Sequence, residues 1–395
     1  MPWLGGRRAH EATVDRIAGS IGDPVSRLRF LRAMAPRHPL VQRLSQMRFR
    51  RWILWAAILL VLLIPFLMKL AAGKPEPPRS RAVPVRRTSA GQTREAVAVW
   101  QVDQTGDAEV YSNGLRIDTR FTVANQPRLY PAFPRNGAAS AAVWRSAPAG
   151  IVYHTTESCQ APFEAQDTPV LKRLGESLLE YVRRKHAYHY LIDRFGRVYR
   201  IVAESDAADH AGYSVWADDE WFYINLNESF LGVSFEAQTH PGQTEGVVSP
   251  AQVRAGAMLT EMLRSRYRIP AGNCVTHAQV SVNPSNMLVG YHTDWAAGFP
   301  FAELGLPDNY QRALPSVWAF GFDCEPAWLA ASGERMASGV RLAEEEIGQR
   351  AAAAGIPATA YRKVLRRRYR TWLAEARRRN PAFARDQLRS GSAGR

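Results

Sequence analysis

The sequence predicts an α/β domain built on a central mixed β-sheet flanked by helices, and three observations carry that reading. Short apolar runs alternate with amphipathic stretches of helical period over residues 149 to 323. Asn113-Gly114 and Arg194-Phe195-Gly196 each stand between two strand-like runs, where hairpin turns belong. Ser249-Pro250-Ala251-Gln252 joins a capping Ser, a Pro at the first helical position and a Gln three residues after the cap, which is how a helix opens.

The elements follow in order. Residues 96–148 hold AVAVWQV and EVYSNGLRIDTRFTV, a β-rich lead-in. Ile151 to His154 reads as a short strand. Thr168-Pro169 then caps a helix with Leu171, Leu174, Leu178 and Val182 on one face. A hairpin follows, Tyr188 to Asp193 with Val198 to Val202, and then a strand from Phe230 to Ala237. The Ser249 helix ends before Pro270. Residues 324–395 turn basic and helical, from about 332 to 349 and again from 358 to 379, and read as a solvated helical pair forming a C-terminal extension.

The amino-terminal part has another character. From Trp52 to Met68 no residue is charged, and with Lys69 snorkelling the stretch 52–72 reaches the roughly 20 residues a bilayer needs. Trp52 and Trp55 sit where interfacial aromatics belong. We expect one transmembrane helix here, preceded by a basic cytoplasmic segment, 1–51, and followed by a Pro-, Arg- and Ser-rich linker, 73–95. Six Arg lie in the 20 residues before the span, and one Lys with four Arg in the 20 from Gly73, so charge alone decides its orientation poorly.

The net charge of +15 is confined to the ends of the chain. Residues 1 to 51 hold 11 Arg against 3 acidic side chains, and residues 331 to 395 hold 15 Lys and Arg against 6, whereas the middle carries 25 against 27. Basic ends around a neutral centre suit anionic lipid or cell-wall polymer. No basic motif interleaved with aromatics appears, so nucleic acid is not an expected partner. Cys159, Cys274 and Cys324 fit no metal-ribbon spacing; one pair would be a disulfide outside the cytoplasm, and three buried thiols are the other reading.

Seven of the nine His lie between 154 and 292. His154 closes an apolar strand, His277 follows the Ser249 helix, and Asp294 lies beyond in Gly290-Tyr-His-Thr-Asp294. Two imidazoles and a carboxylate from separate strand ends are a typical donor set for catalytic zinc, with a fourth position left for water. No local motif of the HExxH kind links them.

The blocks IVYHTTES, AYHYLIDRFGRVYRIV, ADHAGYSVW, NESFLGVSFEAQ and VTHAQVSVNP, in this order over residues 149 to 302, resemble the zinc-dependent N-acetylmuramoyl-L-alanine amidases and the related peptidoglycan recognition proteins. The resemblance implies that fold and hydrolysis of the amide between N-acetylmuramic acid and L-alanine in peptidoglycan. The ligands it implies are His154, His277 and Asp294. Tyr188 matches a family Tyr of the second strand, and His292 stands where many bacterial members carry a Lys two residues before the Asp. His210 matches a His near the substrate groove, with a structural role as the other reading.

This sequence departs from the pattern at two places. Ser234 occupies the position of the bacterial catalytic Glu, as in the animal recognition proteins; Glu236, two residues on and on the same sheet face, is either a replacement in proton transfer or a structural carboxylate. Seventeen positions separate His277 from Asp294, longer than usual, so His292 is a rival third ligand. Two functions are therefore expected: an amidase on the outer side of the cytoplasmic membrane, where polymeric peptidoglycan lies, or an anchored protein that binds muropeptide without cutting it.

Overall fold

The computed structural model describes residues 98–379 except 136–141, 241–242 and 244–245. The expected membrane span 52–72, the basic segment 1–51 and the linker 73–95 lie outside the described residues. Among those described, no helix is long and apolar enough to cross a membrane.

Fifteen strands and eight α-helices alternate along the described chain. The strands are β1 (Gln101–Thr105), β2 (Ala108–Tyr111), β3 (Arg116–Asp118), β4 (Tyr130–Pro134), β5 (Val143–Arg145), β6 (Gly150–Thr155), β7 (Tyr190–Ile192), β8 (Val198–Arg200), β9 (Val215–Ala217), β10 (Trp221–Ile224), β11 (Phe230–Phe235), β12 (Cys274–Thr276), β13 (Val282–Asn283), β14 (Leu288–Val289) and β15 (Asp323–Cys324). The helices are α1 (Thr168–Lys185), α2 (Leu226–Ser229), α3 (Pro250–Tyr267), α4 (His277–Val280), α5 (Pro315–Trp318), α6 (Pro326–Ala331), α7 (Glu334–Ala353) and α8 (Ala358–Arg379).

The main sheet is mixed and runs β1-β2-β3-β8-β7-β11-β6-β12. Its centre, β7-β11-β6-β12, is parallel. All six residues of β6 and of β11 are buried, as a parallel sheet covered on both faces requires. One face of β6 and β11 presents Ile151, Tyr153, Leu231, Val233 and Phe235 to a core that includes Ala255, Leu259, Met262 and Leu263 of α3. On the other face α1 sets Leu178, Leu179 and Val182 against Leu191, Tyr199 and Ile201.

Local sequence signals account for several boundaries. The Ser249 capping box is complete, with both the Ser249 side chain and the Gln252 side chain engaged. The α1 cap falls one residue before the expected Thr168, at Asp167, whose side chain makes no capping bond; Pro169 lies in the first turn. His186, expected in solvent, is half-buried as the left-handed C-cap of α1, while His240 is exposed.

The lead-in and the carboxy-terminal helices share the core of the main sheet. β1 to β3 extend that sheet through the parallel pair β3-β8. Leu365, Tyr369, Leu373 and Ala376 of α8 belong to the same buried cluster as Tyr111, Phe133 and α3. The two helices expected in solvent thus bury one face each, because Leu365, Tyr369, Leu373 and Ala376 recur at helical spacing beneath the arginines. Trp372 stacks on Phe133 at 4.4 Å, which ties α8 to the second sheet, β5-β4-β10-β9. Cys159 is exposed, Cys274 buried and Cys324 between the two, and all three are free thiols.

Candidate metal centre

His154 and His277 meet because β6 and β12 are neighbours and parallel. Thr276 pairs in register with Tyr153, so both imidazoles emerge at the carboxyl end of the sheet, where open α/β sheets bind ligands. Thr276 is the N-cap of α4, with its own capping box to Gln279, and this fixes the chain on which His277 sits. Asp294 arrives from the far side of the β13-β14 hairpin. Its Oδ1 is 2.8 Å from His277 Nδ1 and its Oδ2 is 3.5 Å from His154 Nδ1. The three side chains are buried, and their donor atoms lie within 4.8 Å of one another.

The site's electrostatics favour deprotonated donors. Burial and the neighbouring His277 push the His154 pKa down to about 4, so its imidazole is neutral at physiological pH. Burial disfavours the Asp294 carboxylate, but His277 and His154 more than offset it and hold Asp294 well below the usual range.

A family model described as N-acetylmuramoyl-L-alanine amidase matches residues 144–294, a segment that begins just before β6 and ends on Asp294. This segment is an N-acetylmuramoyl-L-alanine amidase family domain.

Solved structures similar to the chain include AmpDh3 from Pseudomonas aeruginosa in complex with anhydromuramic pentapeptide, at 22% identity and a TM-score of 0.31 over 44% of this chain. AmiD from E. coli, in complex with a substrate, is 23% identical, with a TM-score of 0.29 over 50% of this chain. This chain spans 64% of the length of each. A Drosophila peptidoglycan recognition protein, PGRP-SD, is 19% identical with a TM-score of 0.23, covering 38% of this chain and 79% of its own. No curated protein sequence matches the chain.

The amidase-family domain presents donors that fit zinc. Neutral imidazole and ionised carboxylate are the forms that bind it, and a tetrahedral ion with arms of about 2 Å sets its donors roughly 3.3 Å apart. The two carboxylate–imidazole separations, 2.8 and 3.5 Å, bracket that spacing. His292, the rival ligand in the sequence, is exposed and lies outside this buried group. Its ring stacks on His277 with centroids 4.5 Å apart.

Other expected residues of the amidase-family domain border the cluster to differing degrees. The Tyr188 ring is 5.1 Å from that of His154, on a residue whose φ of 64° is left-handed. Burial and the Asp294 charge push its phenol well above the usual range. His210 Nδ1 is 3.1 Å from His154 Nε2, and Ser234 pairs with His154 across β11 and β6. Glu236 stands apart from them: its carboxylate accepts the Arg194 amide at 3.1 Å and faces Gly175 of α1 at 3.6 Å.

Sequence reading missed the supports of His210. The Asn227 carboxamide oxygen accepts the amides of His210, Ala211 and Gly212 at 2.9, 2.7 and 2.8 Å. Gly232 leaves room for the ring, since a Cβ there would stand 2.6 Å from His210 Cγ. Behind it His189 accepts the Gly232 amide at 2.9 Å, and the buried Arg128 guanidinium packs against His189 while donating to the carbonyls of Glu204 and Asp206 at 3.0 and 2.9 Å. Burial lowers the Arg128 pKa to about 10. A single Arg in a loop carries no periodic signal; the only cue was that the lone Arg128 lies in a stretch otherwise rich in strand formers.

Proposed function

We propose that this chain is a zinc-dependent peptidoglycan amidase that cleaves the amide between N-acetylmuramic acid and L-alanine. The observation that carries the reading is the convergence of His154, His277 and Asp294 at the carboxyl end of one parallel sheet, inside a segment matching the amidase family. A zinc ion held there supplies Lewis acidity and acidifies a water near neutral pH. Asp294 sets the imidazole orientations and contributes negative charge to the ligand set. Tyr188, beside His154, offers a phenol that stays protonated and so donates to a carbonyl oxygen gaining negative charge. His292, exposed against His277, is placed to exchange a proton with the departing amine of the stem peptide.

Anchoring belongs to the same proposal. The uncharged stretch from Trp52 to Met68 supports a single span in the cytoplasmic membrane, and the domain then faces outward, the side on which polymeric peptidoglycan lies. A linker of some 20 residues, extended at about 3 Å per residue, gives it reach.

A second reading has one specific observation behind it. Ser234 holds the position at which bacterial relatives place a Glu, and Glu236 is engaged with the Arg194 amide. A domain lacking that carboxylate at the site would retain muropeptide without cutting it. Incubating the protein with purified sacculi and weighing the released products separates the two. Stem peptides beginning with a free L-alanine amine support hydrolysis; muropeptide retained intact supports binding alone.

A further inference from the structure

We propose that the C-terminal extension is a positioning element of the metal centre, acting through Trp328 on the turn at Gly290 that leads to Asp294. The inference rests on the metal reading of His154, His277 and Asp294, and one of its two tests needs no metal.

The seventeen positions between His277 and Asp294 leave the sheet as the β13-β14 hairpin and return. That hairpin is held by the extension: β14 pairs in parallel with β15, Leu288 against Asp323 and Val289 against Cys324. The Asp323 amide donates to Met287 O at 3.0 Å and the Glu325 amide to Val289 O at 3.1 Å. One residue later the chain turns at Gly290 with φ of 102°. A Cβ on Gly290 would lie 2.3 Å from Trp328 Cβ and 2.4 Å from its Cγ, so the indole of α6 rests directly on the turn. Trp328 is 1% exposed and its indole N–H has no partner among the described residues, so its burial is supported by packing alone.

From that turn to the carboxylate every step is tied down. The Gly290 amide donates to Ser281 O and the His292 amide to Ser281 Oγ, both at 3.0 Å. Asp294 O accepts the Ala278 amide at 3.1 Å, beside His277. At the other end of α6, Ala331 closes a small cavity with Thr293, Ala296 and Ala297. A ligand carried on a long loop keeps its place only if outer partners hold it, and losing such a partner costs about 10- to 100-fold in metal affinity. Trp328 is that partner here, which explains how an insertion of unusual length still delivers Asp294 to the two imidazoles.

The test uses the full chain with Trp328→Ala, Trp328→Phe and, as a control on the exposed face of the same helix, Leu329→Ala. In the metal-free chain, hydrogen exchange at the Ala278, Gly290 and His292 amides should quicken at least about tenfold in Trp328→Ala while α3 amides stay protected. Zinc affinity, read by competition with a chromophoric chelator, should fall about 10- to 100-fold, less in Trp328→Phe, and not at all in Leu329→Ala. Should Trp328→Ala fail to fold, Trp328→Phe carries the same comparison. Unchanged exchange and unchanged affinity in a folded Trp328 variant overturn the proposal. A wild-type chain that takes up no zinc removes the metal reading instead, and the exchange result still decides whether Trp328 holds the loop.

Discussion

One carboxylate joins two strand ends: Asp294 stands 2.8 Å from His277 through Oδ1 and 3.5 Å from His154 through Oδ2. Replacing Asp294 by Ala removes the negative member of the donor set and leaves two imidazoles. Zinc content of the purified chain should drop from about one equivalent to near zero, a larger loss than the about 10- to 100-fold affinity cost of an outer partner. Elemental analysis after dialysis checks this.

Glu236 provides a pH test with a definite sign. Burial raises its pKa, and the Arg194 amide only partly offsets that. A carboxyl whose folded pKa lies above its unfolded value of about 4.3 favours the native state while protonated; that contribution is complete below the unfolded pKa and is lost as pH rises through the folded one. Glu236→Gln should therefore melt higher than the wild type at pH 7, with the difference closing near pH 4. Activity of the same variant on muropeptide reads its other role, and a loss above about tenfold returns Glu236 to proton transfer.

The Gly232→Ala variant probes the contact between His210 and His154. Its new Cβ, 2.6 Å from His210 Cγ, displaces the ring and the 3.1 Å contact with it. Overpacking of this kind destabilises by about 1 to 3 kcal/mol. Urea unfolding should show that loss, and substrate binding should weaken with it if His210 lines the groove.

Arg128 is buried among carbonyls with no carboxylate to neutralise it. Lys carries the charge but lacks the planar fork that reaches several carbonyls at once. Arg128→Lys should lose at least two charged hydrogen bonds, each worth about 1.5 to 3 kcal/mol, and the melting temperature should fall accordingly.

Much of the site was legible because strand ends announce themselves. Ile-Val-Tyr before His154 gave the strand, and the Ser249 capping box gave the helix that leads to His277. The second sheet was not legible: Trp221 to Ile224 is a continuous apolar run, which fits a buried strand or a helix turn equally. Arginines also hid the buried face of α8, since Arg366, Arg367 and Arg368 surround Leu365 and Tyr369 and lower the average without changing the spacing. Trp328 gave no signal at all, because its partner is a glycine 38 positions earlier.

If α7 and α8 belong to the core, as the stacking of Trp372 on Phe133 indicates, removing that ring should affect the whole domain. Trp372→Ala should cost about 3 to 5 kcal/mol and lower one shared unfolding transition. Two separate transitions, only one of them shifted, would mark the helices as an independent unit.

The central claim concerns one ion held by these three side chains, and zinc K-edge absorption spectroscopy of the full chain reads it directly. The account predicts one zinc with nitrogen and oxygen neighbours at about 2.0 to 2.2 Å and imidazole scattering from two His. A sulfur shell at about 2.3 Å, or a spectrum unchanged when His154 and His277 are both replaced by Ala, would contradict it.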